Sequence, residues 1–159
     1  LRSRWLPVCL GLSGLILPLS ALADGTEYTW LAELNVPGLS LGFRPLPHLD
    51  LCARFQYWEG VSVAGLRSQY YLAHPGPFWI VGGAEVDYVG FQADEVAGAG
   101  LAAEVFLGAE YMFLEPFSLQ ADLGPAWISL QDRDSQIPLA GTEWVVNLGL
   151  RYYFGRRGP

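Results

Sequence analysis

Residues 144–154 read Trp144-Val145-Val146-Asn147-Leu148-Gly149-Leu150-Arg151-Tyr152-Tyr153-Phe154. Trp144, Val146, Leu148, Leu150, Tyr152 and Phe154 share one parity. Val145, Asn147, Gly149, Arg151 and Tyr153 share the other. Successive side chains of a strand point to opposite faces, so a period of two predicts a strand with one wholly apolar face. The other face holds an amide, a glycine and a guanidinium.

The same alternation recurs upstream. Tyr28, Trp30, Ala32, Leu34 and Val36 alternate with Glu27, Thr29, Leu31, Glu33 and Asn35. A weaker segment sets Leu39, Leu41 and Phe43 against Ser40, Gly42 and Arg44. Leu49 to Tyr57 opposes Asp50, Cys52, Arg54 and Gln56, and Ala64 to Leu72 opposes Gly65, Arg67, Gln69 and Tyr71. Three longer segments follow: Phe78 to Tyr88 with Glu85 and Asp87 inside the opposite parity, Ala99 to Phe113 with Glu104 and Glu110, and Phe117 to Trp127 with Asp122. Turn residues separate them, at Pro37-Gly38, Pro45 to Pro47, Glu59-Gly60, Pro75 to Pro77, Gly90 to Val96, Glu115-Pro116 and Asp132 to Gly141. Eight such strands predict an all-β, antiparallel up-and-down barrel, which closes on itself and leaves no sheet edge. The second segment is the shortest: its six clear residues fall below the roughly nine to eleven that a membrane-spanning strand uses.

Charge placement orients the two faces. The apolar parity carries no charged residue in any segment. The other parity carries Glu27, Glu33, Asp50, Glu85, Asp87, Glu104, Glu110 and Asp122, with Arg44, Arg54, Arg67 and Arg151. A soluble barrel points its charges outward; a barrel in a bilayer points them into the lumen. The aromatic residues favour the second arrangement. With both chain ends on one side, one end of the barrel collects Tyr28, Phe43, Tyr70, Phe78, Tyr111, Phe113, Phe117, Tyr152 and Phe154. The other end collects Phe55, Tyr57, Tyr88, Trp127 and Trp144. Two such rings are the pattern of aromatic girdles at two membrane interfaces.

Composition agrees. Of 159 residues, 52% are hydrophobic and 16% charged, against about 25% charged in ordinary soluble domains. That excludes a disordered chain. A net charge of −7, with no lysine and no basic patch, excludes a nucleic-acid partner. Residues 1–23 read as a secretory signal peptide: Arg2 and Arg4, an apolar run from Leu10 to Leu19, and Ala21-Leu22-Ala23 before Asp24. The barrel is then expected over 24–154, with a short periplasmic tail over 155–159. Once 1–23 is removed, Cys52 is the single cysteine and forms no internal disulfide.

In pattern, the chain resembles the small eight-stranded outer-membrane barrels of the OmpA/OmpX type. The sharpest local piece is Asn147-Leu148-Gly149-Leu150-Arg151-Tyr152-Tyr153-Phe154, similar to that family's closing strand. The resemblance implies a bacterial outer-membrane location, a lipid-facing wall and recognition by the barrel-assembly machinery through the last strand. Here Phe154 is followed by Gly155 to Pro159 rather than ending the chain. Termini and the Pro45, His74 and Glu115 turns are then periplasmic, and the remaining links face outward.

No catalytic constellation emerges. His48 and His74 fall at the periplasmic turns, and no Ser–His–acid arrangement is visible. Asp132 and Asp134 pair in an external link, but two carboxylates supply few of the six to eight oxygens that Ca²⁺ takes. No cofactor and no metal site is expected. The expected luminal network consists of Arg54, Arg67 and Arg151 bridging Glu85, Glu104, Glu110 and Asp122, because charges in a narrow lumen must pair or stay hydrated. The girdles are assigned to Tyr28, Phe78, Tyr111, Phe113, Phe117, Tyr152 and Phe154 at one end, and Tyr57, Tyr88, Trp127 and Trp144 at the other. The function read from this is a monomeric structural or surface-interacting barrel with a plugged lumen. The rivals are a narrow low-conductance pore and a soluble exported lipocalin-like ligand binder.

Overall fold

The computed structural model describes residues 28–93, 96–132 and 138–156; the expected signal peptide, Glu27, Asp134 and the end of the tail lie outside the described residues. The elements are β1 (Tyr28–Asn35), β2 (Gly38–Leu46), β3 (Leu49–Trp58), β4 (Val61–Ala73), β5 (Phe78–Ala93), β6 (Val96–Leu114), β7 (Phe117–Asp132) and β8 (Pro138–Arg156). Each strand pairs antiparallel with the next, β8 pairs back with β1, and the sheet is a closed barrel. There is no helix among the described residues. The all-β, eight-stranded antiparallel expectation therefore holds.

The turns follow from local chemistry. Between β3 and β4, Glu59 and Gly60 both have positive φ, 44° and 84°, as a two-residue type I′ hairpin requires. The Gln92 N–H donates to the Gly60 carbonyl at 2.9 Å, tying this hairpin to β5.

Two links are shorter than expected. The sequence places a link over Phe91 to Val96, yet the β5–β6 ladder continues without a break from Tyr88↔Leu101 to Ala93↔Val96. Likewise β8 begins at Pro138, inside the link expected over Asp132 to Gly141. Gly90, Ala97, Gly98, Ala99 and Gly100 have too little side chain to show alternation, but their backbones pair as any residue's do.

Closure is staggered. Leu34 pairs with Leu39, and the same register line runs through Phe55, Ala64, Tyr88, Leu101 and Ser129 to Ala140. Leu34 itself pairs with Leu150, so the ring closes with an offset of ten residues along β8. With strands about 4.8 Å apart and a rise of about 3.3 Å per residue, that offset tilts the strands by roughly 40°. A level ring therefore shifts by about 1.25 residues per strand. On that scale Tyr57, Tyr88, Trp127 and Trp144 share one level, about five residues above Leu34. Trp30, Phe78, Tyr111, Phe113, Phe117, Tyr152 and Phe154 cluster about three to six residues below it. The two rings stand about 24 Å apart along the barrel axis.

Facing follows the alternation. Leu66, Val146 and Leu148 are 71%, 67% and 62% exposed on the outer wall, whereas Asp50 and Arg151 are 0% exposed inside. One assignment is corrected. Tyr28 shares the outward parity, but it is only 8% exposed. Its hydroxyl donates to Glu115 Oε1 at 2.9 Å and its ring lies 6.1 Å from that of Tyr153. With Leu31, Cys52 and Tyr153 it forms a small apolar cluster inside the end that carries the chain termini. At the very start of a strand the outward parity no longer binds the side chain, and burying the ring on Tyr153 keeps its hydroxyl bonded.

Glycine is required at position 60, where φ is left-handed and an added Cβ would collide with the Gln92 carbonyl oxygen. Gly60→Ala is expected to destabilise the barrel by about 1 kcal/mol or more. Gly141→Ala, in open space, is expected to stay within about 0.5 kcal/mol. Urea titrations followed by circular dichroism in detergent micelles measure both.

Candidate functional site

The inward faces of all eight strands meet in a mesh of charged and polar side chains that occupies the lumen. Alternation delivers them: Glu33 from β1, Arg44 from β2, Asp50 and Arg54 from β3, Arg67, Gln69 and Tyr71 from β4, Glu85 from β5, Glu104 and Glu110 from β6, Ser118, Gln120 and Asp122 from β7, and Asn147, Arg151 and Tyr153 from β8.

The half nearer the termini is organised on Tyr71. Arg44 holds Asp50 with two bonds, Nε to Oδ1 at 2.6 Å and Nη2 to Oδ2 at 3.0 Å. The same Nη2 donates to the Tyr71 hydroxyl at 2.8 Å. That hydroxyl lies 2.8 Å from both Asp50 Oδ2 and Glu110 Oε2, so its one proton can serve only one of them at a time. Glu110 is satisfied without it. Oε1 accepts from Ser118 at 2.6 Å and from Tyr153 at 2.5 Å, and Oε2 accepts from Arg151 at 3.3 Å. Arg151 also donates to Glu33 at 3.1 Å through Nε and to Gln69 at 3.0 Å through Nη2.

The other half is organised on Glu85. Arg54 reaches both its oxygens from Nη1, at 3.0 and 2.9 Å, and Arg67 donates to Oε2 at 2.8 Å. Arg67 then spans to Asp122 at 2.5 Å, with its guanidinium 3.6 Å above the Phe106 ring. Desolvation by that ring strengthens the cation–π attraction. Asn147 closes the circuit: it accepts from Arg54 at 2.8 Å and donates to Asp122 Oδ1 at 2.9 Å. Gln120 bridges the halves, donating to Gln69 at 2.8 Å and to Asp122 at 2.7 Å.

The sequence-derived network is therefore met by Arg54–Glu85, Arg67–Asp122 and Arg151–Glu110. Glu104 is the correction. Among the described residues it forms no direct ion pair with these three arginines; its hydrogen-bond partner is the Asn147 amide, at 3.4–3.5 Å. Register places Glu104 beside Glu85 on one flank and Ala126 on the other, so Arg67 acts on it only through space. Sequence reasoning placed Glu33, Arg44, Asp50, Gln69, Tyr71, Gln120 and Tyr153 on the inward face but did not join them to the network. A polar residue on the charged parity was the available signal for each. At the terminus-bearing mouth of the lumen, the Trp79 ring packs edge-on against Tyr71 at 5.6 Å and stacks with the His74 ring at 4.0 Å between centroids. Cys52 is buried at 3% exposure within the apolar cluster.

Chemically, this arrangement fills space and pairs part of the charge it encloses. Seven carboxylates (Glu33, Asp50, Glu85, Asp87, Glu104, Glu110 and Asp122) face four guanidinium groups across it. Breaking a buried pair leaves an uncompensated charge, which costs about 3–5 kcal/mol. Arg151→Met, which strands both Glu33 and Glu110, is expected to destabilise by that order. Glu104→Gln is expected to change stability by less than about 1 kcal/mol. Unfolding in detergent followed by circular dichroism separates the two.

No family model matches the chain, and no curated protein matches it in sequence.

Proposed function

We propose that this chain is a small integral barrel of the bacterial outer membrane, exported by the signal peptide at 1–23. It serves as a monomeric structural or surface-interacting element of the envelope rather than as an enzyme. The observation that carries this reading is the inversion of the wall. Leucine, valine and aromatic side chains cover the outside, while Arg44, Arg54, Arg67, Arg151 and six carboxylates (Glu33, Asp50, Glu85, Glu104, Glu110 and Asp122) lie buried within. In water such an exterior is an apolar patch far beyond what a monomer tolerates. In a bilayer it is the expected lipid-facing band.

Geometry supports the same reading. The aromatic rings stand about 24 Å apart, close to the roughly 25 Å apolar band of outer-membrane barrels. Closure pairs each strand with two neighbours, which satisfies most of the backbone groups that would otherwise face hydrocarbon. The lipocalin-like reading calls for an apolar interior that holds a ligand, and charged side chains occupy that interior instead. The mesh from Arg44 to Asn147 crosses the lumen, which supports a plug over a conducting pore. The closing strand, similar to that of the OmpA/OmpX-type barrels, is the segment the assembly machinery would engage.

A folded barrel of this kind resists detergent until boiled. Unheated and boiled samples in detergent gels are expected to migrate differently, and the protein is expected to stay insoluble without detergent. A protein that remains soluble without detergent and shows a single mobility contradicts the proposal. In planar bilayers, the wild-type chain is expected to give no conductance above background; resolved single-channel steps would favour the narrow pore.

A further inference from the structure

The barrel wall is not the same height all round. At the end opposite the termini β1 stops at Asn35 and β2 begins at Gly38, while β5 to β8 continue. Beyond Asn35↔Gly149 there is no further β1 pairing, whereas β8 goes on pairing with β7 as far as Gln131↔Pro138. Among the described residues, 138–148 of β8 therefore have a ladder on one side only. On the level scale set by the ten-residue offset, the β1–β2 turn lies about three residues, roughly 8 Å, below the ring of Tyr57, Tyr88, Trp127 and Trp144. This leaves a notch in the wall above the hairpin, between β8 and β3. Its lower part, flanked by β8 from Trp144 to Leu148, lies inside the apolar band. Backbone groups left unpaired at that depth cost several kcal/mol each unless something bonds them.

A second feature leads to the same place. On the outer wall a trough of about 540 Å³ runs across β1, β8, β7 and β6 to β5. Its floor is low because Ala121 and Ala109 are partners in adjacent strands. The next row of partners, Leu150, Leu119, Tyr111 and Phe78, forms a taller ridge along one side. The trough ends at Leu148 and Val36, at the foot of the notch. Four strand spacings make it about 19 Å long, which matches an extended long acyl chain.

We infer that the trough and notch form one site for an acylated amphiphile, with the chain lying over Ala109 and Ala121 and the polar ester, amide or hydroxyl end bonding the free edge of β8. This rests on the bilayer reading above. The trough supplies an apolar bed, and the notch supplies hydrogen-bonding groups that hydrocarbon cannot satisfy. A molecule apolar at one end and polar at the other answers both.

Vesicles of phosphatidylethanolamine and phosphatidylglycerol, containing a phosphatidylethanolamine with a diazirine at its acyl terminus, provide the test. Photolabelling of the inserted chain is mapped by proteolysis. Adducts are expected to concentrate at the trough's far end, on segments 78–80 and 107–111, about tenfold over the wall around the Leu66 and Val86 pair, the factor that 1.4 kcal/mol of preference gives. A diazirine alkane without a polar end is expected to label both walls evenly. Ala121→Trp, or Ala109→Phe should the first not fold, is expected to abolish the concentration while the boiling-dependent gel shift persists; Val86→Trp is expected to leave it intact. Even phospholipid labelling of a barrel that still shows the gel shift overturns the site and leaves the bilayer reading standing. A cross-linked dimer joined through β8 also overturns it, assigning the free edge to a second copy. Absence of the gel shift, with a chain soluble without detergent, removes the bilayer reading and the site with it.

Discussion

Arg151 is shut off from bulk solvent. Its guanidinium is fully enclosed, and its place in the barrel is fixed by Glu33, Glu110 and Gln69 around it. That enclosure is the constraint on which the rest of the architecture depends. Once eight alternating strands close, one parity must fill a narrow cylinder. Here that parity carries most of the strands' charge. A buried ion pair gives little net stability against an apolar alternative, yet removing one partner is severe. The mesh is thus better understood as a lock on register than as a store of stability. A one-residue slip would turn the charged parity outward and the leucines inward, leaving Arg67 and Arg151 without their carboxylates.

The coupling between the halves has a physical basis. Gln69 accepts from both Arg151 and Gln120, and Gln120 also donates to Asp122. Tyr71 shares a single proton between Asp50 and Glu110. Groups joined in this way polarise one another, so the effect of losing two is not the sum of losing each. The small apolar cluster of Tyr28, Leu31, Cys52 and Tyr153 finishes the terminus-bearing end and leaves the charged mesh enclosed on that side.

Much of this was legible in the chain. The alternation through Trp144 to Phe154 and its repeats specified eight strands and both faces, because the strand period is fixed by backbone geometry. The six clear residues of the second segment understated β2, which runs over nine residues from Gly38 to Leu46 because Gly38 and Pro45 give no alternating signal. What was not legible depends on pairing between distant strands. The ten-residue offset decides that Arg54 reaches Glu85 and that the hydrogen-bond partner of Glu104 is an amide. No single segment encodes that offset. Tyr28 escaped because parity says nothing about a side chain at a strand's first residue. The upper parts of β5 and β6 escaped because Gly and Ala carry no periodic signal.

The central claim is that a lipid-facing apolar wall surrounds an ionic interior. Spin labels placed one at a time from position 145 to 150, in a chain with Cys9 and Cys52 replaced by Ala and inserted into lipid vesicles, test it most directly. Oxygen, which partitions into lipid, is expected to collide most with labels at 146, 148 and 150 and least with those at 145, 147 and 149. Oxygen collisions without a period of two, or a water-soluble relaxant that reaches 146, 148 and 150 instead, would contradict the account.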